Sequence, residues 1–333
     1  MKELVVISGK GGTGKTSIVA AFANLAKNAV FADCDVDAAD LHLVLEPKIK
    51  QTTDFSGGKQ ASIITEKCIG CGACLLYCQF GAVVQDDNDN ELILSRLKKD
   101  CENCEYCKRS CSIRNHVMIR DMQKQMGLSG PTIFRIDPIA CEGCKVCVEF
   151  CPVNAIDFKD AINGQWFISE TRFGPMVHAK LGIAEENSGK LVSLVRRETK
   201  RIAEEQKKDL IIVDGSPGIG CPVIASITGA DLVLIVTEPT LSGMHDLERV
   251  GQLAAGFNIP VLVVINKFDI NPDMSDKIEK SSLERNMKVV GRIRYDKAFT
   301  KAQIMKCSVV EYTSSAVSED IKSLWRNVIY ALG

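Results

Sequence analysis

The chain has 333 residues, 46% of them hydrophobic and 25% charged, with 41 basic residues against 42 acidic ones. This composition supplies a sizeable core and length for two or three domains. The net charge of −1 gives no global field that would favour nucleic acid or an anionic membrane.

No apolar run approaches the roughly 20 residues that a membrane span needs. The chain opens on a strand pattern without an export signal, so we expect a cytoplasmic protein. The first strand covers residues 3–7, and a helix with an apolar stripe follows over 15–27. Between them lies "GKGGTGKT", where Gly9, Gly14, Lys15 and Thr16 satisfy G-x-x-x-x-G-K-[ST]. Residues Gly9, Lys10, Gly11, Gly12, Thr13, Gly14, Lys15, Thr16 and Ser17 are the expected phosphate cradle, because loop and helix N-terminal N–H groups point at an anion. Lys15 is expected on the β/γ-phosphates and Thr16 on Mg²⁺.

A second strand at 29–33 runs into "DCDVD", which places Asp33, Asp35 and Asp37 at a strand's C-terminal end. Further strands are predicted at 210–214, 231–237 and 261–266, and helices at 190–206 and 243–256. Asp214 ends one strand before a Ser-Pro-Gly turn, suited to holding Mg²⁺ through water. Asn266 ends another, with an amide able to pair with a base edge. Strands alternating with helices predict an α/β fold, a mostly parallel-sheet P-loop NTPase domain. The pattern breaks off near Gln51 and resumes near Gly164. The expected organisation is therefore an ATPase domain over 1–55 and 164–333, with an inserted α+β domain over 56–163.

That insertion holds twelve of the fifteen cysteines, in three C-x-x-C-x-x-C-x-x-x-C runs. Where thiols stay reduced, such runs read as metal or iron–sulfur ligands. Cys68, Cys71, Cys74 and Cys78 map onto Cys141, Cys144, Cys147 and Cys151 with a constant offset of 73, and Gly70 maps onto Gly143 and Ala82 onto Ala155. Pro152 completes a run that resembles the bacterial ferredoxins, in which the fourth cysteine ligates the other cluster. The resemblance implies two [4Fe–4S] clusters, one on Cys68, Cys71, Cys74 and Cys151, the other on Cys141, Cys144, Cys147 and Cys78. The middle run, Cys101, Cys104, Cys107 and Cys111, sits in an extra insertion at about 84–135 and lacks the following signature. A third [4Fe–4S] cluster, a Cys₄ Zn²⁺ site and a client-metal site all remain open for it.

The segments "KGGTGKT", "DCDVD", "DGSPGIGCPV" and "TEPTLSGMHDLERV" resemble the deviant Walker A ATPases related to MinD, Mrp and the nitrogenase iron protein, and in particular those with an inserted ferredoxin domain. The resemblance implies ATP and Mg²⁺ held in a homodimer, or a dimer with a paralogous ATPase. Lys10 would then reach the partner's nucleotide and Asp35 would help position the attacking water. The catalytic set so implied is Lys10, Lys15, Asp35 and Asp214. "RIRYD" departs from the family in having Arg294 where a proline lining the adenine is usual. Cys221 sits where the nitrogenase iron protein has a cluster-bridging cysteine, but no second candidate accompanies it, and Cys34 reads as structural. The four histidines form no ligand-spaced pair, and the amphipathic C-terminal segment reads as a helix covering the sheet.

Three functions follow. An ATPase builds a metal–sulfur cofactor or delivers it to a client metalloprotein. An ATP-gated reductase passes low-potential electrons to a redox partner. A regulatory or partitioning ATPase carries structural clusters.

Overall fold

The structure, a computed structural model, describes residues 1–68, 70–85, 124, 127, 132–182 and 188–333. It divides into two compact units, Met1–Phe55 with Asn163–Gly333, and Ser56–Ile162.

In the first unit the strands owe their positions to unbroken apolar runs. Alternate side chains of a strand face opposite sides. Leu4 and Val6 enter one core cluster and Val5 and Ile7 the other, all fully buried. Residues 210–213 divide in the same way: Leu210 and Ile212 pack on one side, Ile211 and Val213 on the other. Burial on both faces is the mark of a parallel sheet covered by helices on each side. Strand β1 (Lys2–Ser8) lies between β8 (Leu210–Pro217) and β9 (Leu232–Thr237). On one side β10 (Val261–Asn266) and β11 (Lys288–Ile293) continue in parallel. On the other, β2 (Ala29–Asp33) and β7 (Gly174–Leu181) do the same. An antiparallel step from β7 to β6 (Ile156–Thr171), followed by β3 (Lys48–Ile63), completes the order β11-β10-β9-β1-β8-β2-β7-β6-β3.

This arrangement gathers the loops that follow β1, β2, β8, β9 and β10 at the C-terminal edge of the sheet, where open parallel sheets bind ligands. The chain passes between the two units within β3 and within β6. The expected helices at 190–206 and 243–256 run from Ser188 to Glu205 and from Leu241 to Gly256. The C-terminal helix Ala316–Leu332 buries Leu324 and Val328 in the core, while Ile329 stays partly exposed. Among the described residues no helix is long and apolar enough to cross a membrane.

In the second unit, β4 (Val83–Gln85) pairs antiparallel with β5 (Phe134–Ile136). The short helices Ala73–Tyr77 and Val146–Glu149 accompany them. A small core of Ala61, Cys74, Val83, Phe134 and Ile156 joins these pieces. The sequence repeat is also a backbone repeat. Gly70 and Gly143, 73 residues apart, have φ of 65° and 63°. Gly72 and Lys145, again 73 apart, have φ of 77° and 68°. The second turn therefore holds a lysine in the left-handed region that its twin fills with glycine, a conformation that costs a residue with a Cβ.

Candidate nucleotide site and cysteine centres

Helix α1 (Lys15–Leu25) follows directly on the glycine-rich loop. Gly14 takes φ 88°, and a Cβ there would lie 2.5 Å from the Asn266 amide nitrogen, so conformation and space both call for glycine. No side chain caps this helix and its first turn has no acidic residue, which leaves its N–H groups and dipole for an anion.

Lys15 is almost wholly buried, and its Nζ donates to Asp214 Oδ1 at 2.6 Å and Asp35 Oδ2 at 3.4 Å. Burial pulls the lysine pKa down, but the adjoining carboxylates of Asp214 and Asp35 outweigh it and hold the pKa above its ordinary value. Asp33 is fully buried. That burial, together with the neighbouring Asp214 charge, pushes its carboxyl well above the usual carboxylate range. Asp35 is also raised, mainly by burial and then by Asp214, with Lys15 offsetting only part. Three carboxylates thus crowd one ammonium, and a divalent cation fits the remaining negative charge. Of the four buried side-chain oxygens without a hydrogen-bond partner among the described residues, two lie here, Asp214 Oδ2 and Thr13 Oγ1. Native interiors seldom leave such atoms unsatisfied unless a bound group completes them. A nucleotide with Mg²⁺ therefore fits the donors present.

Thr16 and Ser17 are half-buried on the first turn of α1, and Ser17 Oγ accepts from Gln303 Nε2 at 3.1 Å. Asn266 is held beside the phosphate loop. Its Nδ2 donates to the Thr13 carbonyl at 2.7 Å and its Oδ1 accepts from Lys267 N at 3.0 Å. The amide fastens the phosphate loop to the end of β10. Arg294 is turned onto Asp320, with bonds of 2.6 Å and 2.9 Å. Asp33 acts in part as a turn cap, accepting from Asp35 N and Leu41 N.

A model of the CobQ/CobB/MinD/ParA nucleotide-binding domain matches residues 4–306. The chain belongs to this family. A Methanocaldococcus jannaschii protein described as uncharacterized, MJ0578, is 29% identical over 329 residues, spanning 98% of this chain and 96% of that one. The solved structure of the septum site-determining protein MinD from Pyrococcus horikoshii, complexed with Mg-ADP, aligns over 100% of this chain and 97% of its own at a TM-score of 0.53. At 14% identity this is a likeness of fold. Two further relatives match shorter stretches. A component of an ion-translocating oxidoreductase complex from Methanosarcina acetivorans is 30% identical over 97 residues, 28% of this chain and 36% of its own. The PorD component of pyruvate synthase from Methanocaldococcus jannaschii is 26% identical over 116 residues, 34% of this chain and 85% of its own.

For a P-loop ATPase of the MinD/ParA type, the second lysine of the loop is of interest. Lys10 Nζ lies 3.2 Å from Ser242 Oγ and 3.8 Å from Glu238 Oε2, on the exposed side of the loop. Glu238 also pairs with Lys267. It lies in the "TEPT" segment, and residue type alone gave it no role.

In the second unit, one cavity is lined by Cys68, Cys71, Cys74 and Cys151, and a second by Cys78, Cys141, Cys144 and Cys147. Gly70 N donates to Cys68 Sγ at 3.4 Å and Ala155 N to Cys151 Sγ at 3.2 Å. Burial first, and then the neighbouring Cys68 and Cys71, push the Cys74 thiol up to about 12. Burial likewise raises Cys71 and Cys147. Among the described residues, no group of three or more Cys, His, Asp or Glu is close enough to hold a single metal ion. Each quartet lines a cavity of its own. Cys101, Cys104, Cys107 and Cys111 lie outside the described residues.

Cys34 is fully buried in the core, and Cys221 is exposed as the first residue of the helix Cys221–Ile227. One cluster escaped the sequence. His42 and His178, 136 positions apart, stack with ring centroids 6.4 Å apart, and His178 Nε2 is 2.9 Å from Ser169 Oγ. Burial lowers the His178 pKa to about 4.

Proposed function

We propose that this chain is an ATPase whose nucleotide cycle controls electron passage through two [4Fe–4S] clusters to a redox partner. ATP and Mg²⁺ occupy the loop Gly9–Thr16 at the sheet edge. Lys15, which now pairs with Asp214, would hold the β/γ-phosphates, and Asp214 and Thr16 would hold the cation. The resemblance to deviant Walker A ATPases adds a dimer in which Lys10 leaves Glu238 and Ser242 for the partner's nucleotide.

The observation that carries the electron-transfer reading is the interlocking of the cysteine quartets. Each cavity is lined by three cysteines of one run and the fourth of the other. This is the crossed pattern of two-cluster ferredoxins, and it supports two resident centres in one small core. A centre meant for delivery would have to be released without disturbing its neighbour, and interlocked quartets oppose that. The oxidoreductase name of one relative points the same way. The clusters supply one-electron chemistry. The chain's own residues hold them with thiolates and backbone N–H groups in a largely apolar shell. Assembly or delivery of a metal–sulfur cofactor is the second reading, and the family resemblance is what favours it.

Anaerobic metal analysis with EPR separates the two. Two four-iron clusters correspond to about eight iron atoms per chain, or about twelve if the middle run holds a third. A relay predicts cluster midpoint potentials that move when ATP binds, with iron retained. Iron passing to an apo-protein on ATP addition, with potentials unmoved, would establish delivery instead.

A further inference from the structure

We propose that the two cysteine quartets are an inner and an outer centre. The quartet Cys141, Cys144, Cys147 and Cys78 is the outer one, where a partner protein gives or takes the electron. This rests on the relay reading above.

The two sites share one backbone design, so their differences come from side chains. Cys71 is 9% exposed and Cys74 8%, yet Cys144, the repeat equivalent of Cys71, is exposed. Cys147, the equivalent of Cys74, is only half-buried. The walls explain the contrast. Phe134 lines the Cys68 cavity, and its equivalent 73 residues earlier, Ala61, lines the Cys141 cavity. A phenyl ring therefore closes one site where a methyl group stands at the other. Pro152, exposed, and Val153, half-buried, also line the first, where the second has Phe80. Glu142 and Lys145, both exposed, line the second cavity, while Gly72, the equivalent of Lys145, lines the first. The Cys68 quartet thus has two buried thiols behind apolar groups, and the Cys141 quartet has none buried and is bordered by charge. A partner meets the thiols of the second more readily, and the better-covered centre exchanges electrons with its neighbour.

The test is residue-resolved lability. Iron-loaded protein is held anaerobically with a ferrous chelator and iodoacetamide, and alkylation of each cysteine is followed by peptide mass spectrometry. Cys141, Cys144, Cys147 and Cys78 should react together and several times faster than Cys68, Cys71, Cys74 and Cys151. Phe134→Ala should bring the slow quartet close to the fast one and leave the fast one unchanged. The unsubstituted protein decides the matter even if that variant folds poorly. Equal rates, or the Cys68 quartet reacting first, would overturn the assignment while leaving the clusters in place. A preparation without iron, in which all eight react at once, would overturn the iron–sulfur reading as well.

Discussion

Lys15 is buried beside Asp214 and Asp35 of its own chain, whereas Cys71 and Cys74 are buried beside other thiols. Both places hold groups that are costly to desolvate. The phosphate loop offsets that cost internally, by pairing an ammonium with carboxylates. The cysteine cavities offer a few N–H groups and mostly apolar walls, so burial keeps the Cys74 thiol protonated. The first site is organised before its ligand arrives. On the proposed iron–sulfur reading, the second would take the same compensation from its metal.

The largest effect on this comparison comes from removing the loop's cation. Lys15→Ala should lower ATP affinity by roughly a hundredfold or more, since a charge-assisted contact to the phosphates is lost. It should also destabilise the first unit by about 3–5 kcal/mol, because buried carboxylates lose their partner. Isothermal titration and urea denaturation measure the two. Unchanged ATP affinity would remove Lys15 from the phosphate site.

Next is metal removal. Stripping iron under denaturant-free conditions should open Ser56–Ile162 to proteolysis and leave ATP affinity of the first unit nearly intact. Mass spectrometry of limited digests locates the cuts. A protease-resistant, iron-free second unit would show that its small core holds without the metal.

A smaller effect tests whether the first unit has a weak point of its own. The unfolded chain protonates His178 near the ordinary 6.5, and the folded chain only near 4. The unfolded state therefore binds the proton more readily, and stability falls as pH drops from 6.5 towards 4. The full loss is about 3 kcal/mol. A His178→Phe variant should lose this slope in denaturation curves between pH 7 and pH 4. An identical slope in the variant would assign it to other groups.

The smallest change sharpens the picture of the cysteine unit. Tyr77 and Phe150, repeat equivalents, stack at 4.0 Å and an interplanar angle of 21°, each one residue before a fourth cysteine. Tyr77→Ala should cost about 1 kcal/mol of iron-loaded stability. Tyr77→Phe should cost nearly nothing, and thermal melts compare the two.

The strands of the first core were legible because β1, β8 and β10 are unbroken apolar runs, and the phosphate loop because its chemistry fixes its spacing. The long outer strands were not. In β3, Lys48–Ile63 alternates poorly and is mostly exposed, so no period marks it. In β6, Asn163-Gly164 has the look of a hairpin turn. Yet Gly164 lies mid-strand, where a Cβ would meet the Lys180 carbonyl at 2.6 Å. The glycine serves close approach there and not a reversal. The bond from Asn266 to Thr13 was not legible, because it joins positions 253 apart and leaves no local trace. The His42–His178 stack was hidden for the same reason. The cysteine quartets, by contrast, were written in spacing and repetition.

The central claim is that nucleotide and clusters are energetically coupled, and coupling between two binding equilibria is reciprocal. The most direct measurement is ATP titration of iron-loaded protein, once oxidised and once reduced. The account predicts two different ATP dissociation constants, with the same ratio reappearing as an ATP-induced shift in midpoint potential. Identical constants in both redox states, in protein carrying its full iron, would contradict it and leave the clusters as structural elements of an ATPase that does not use their electrons.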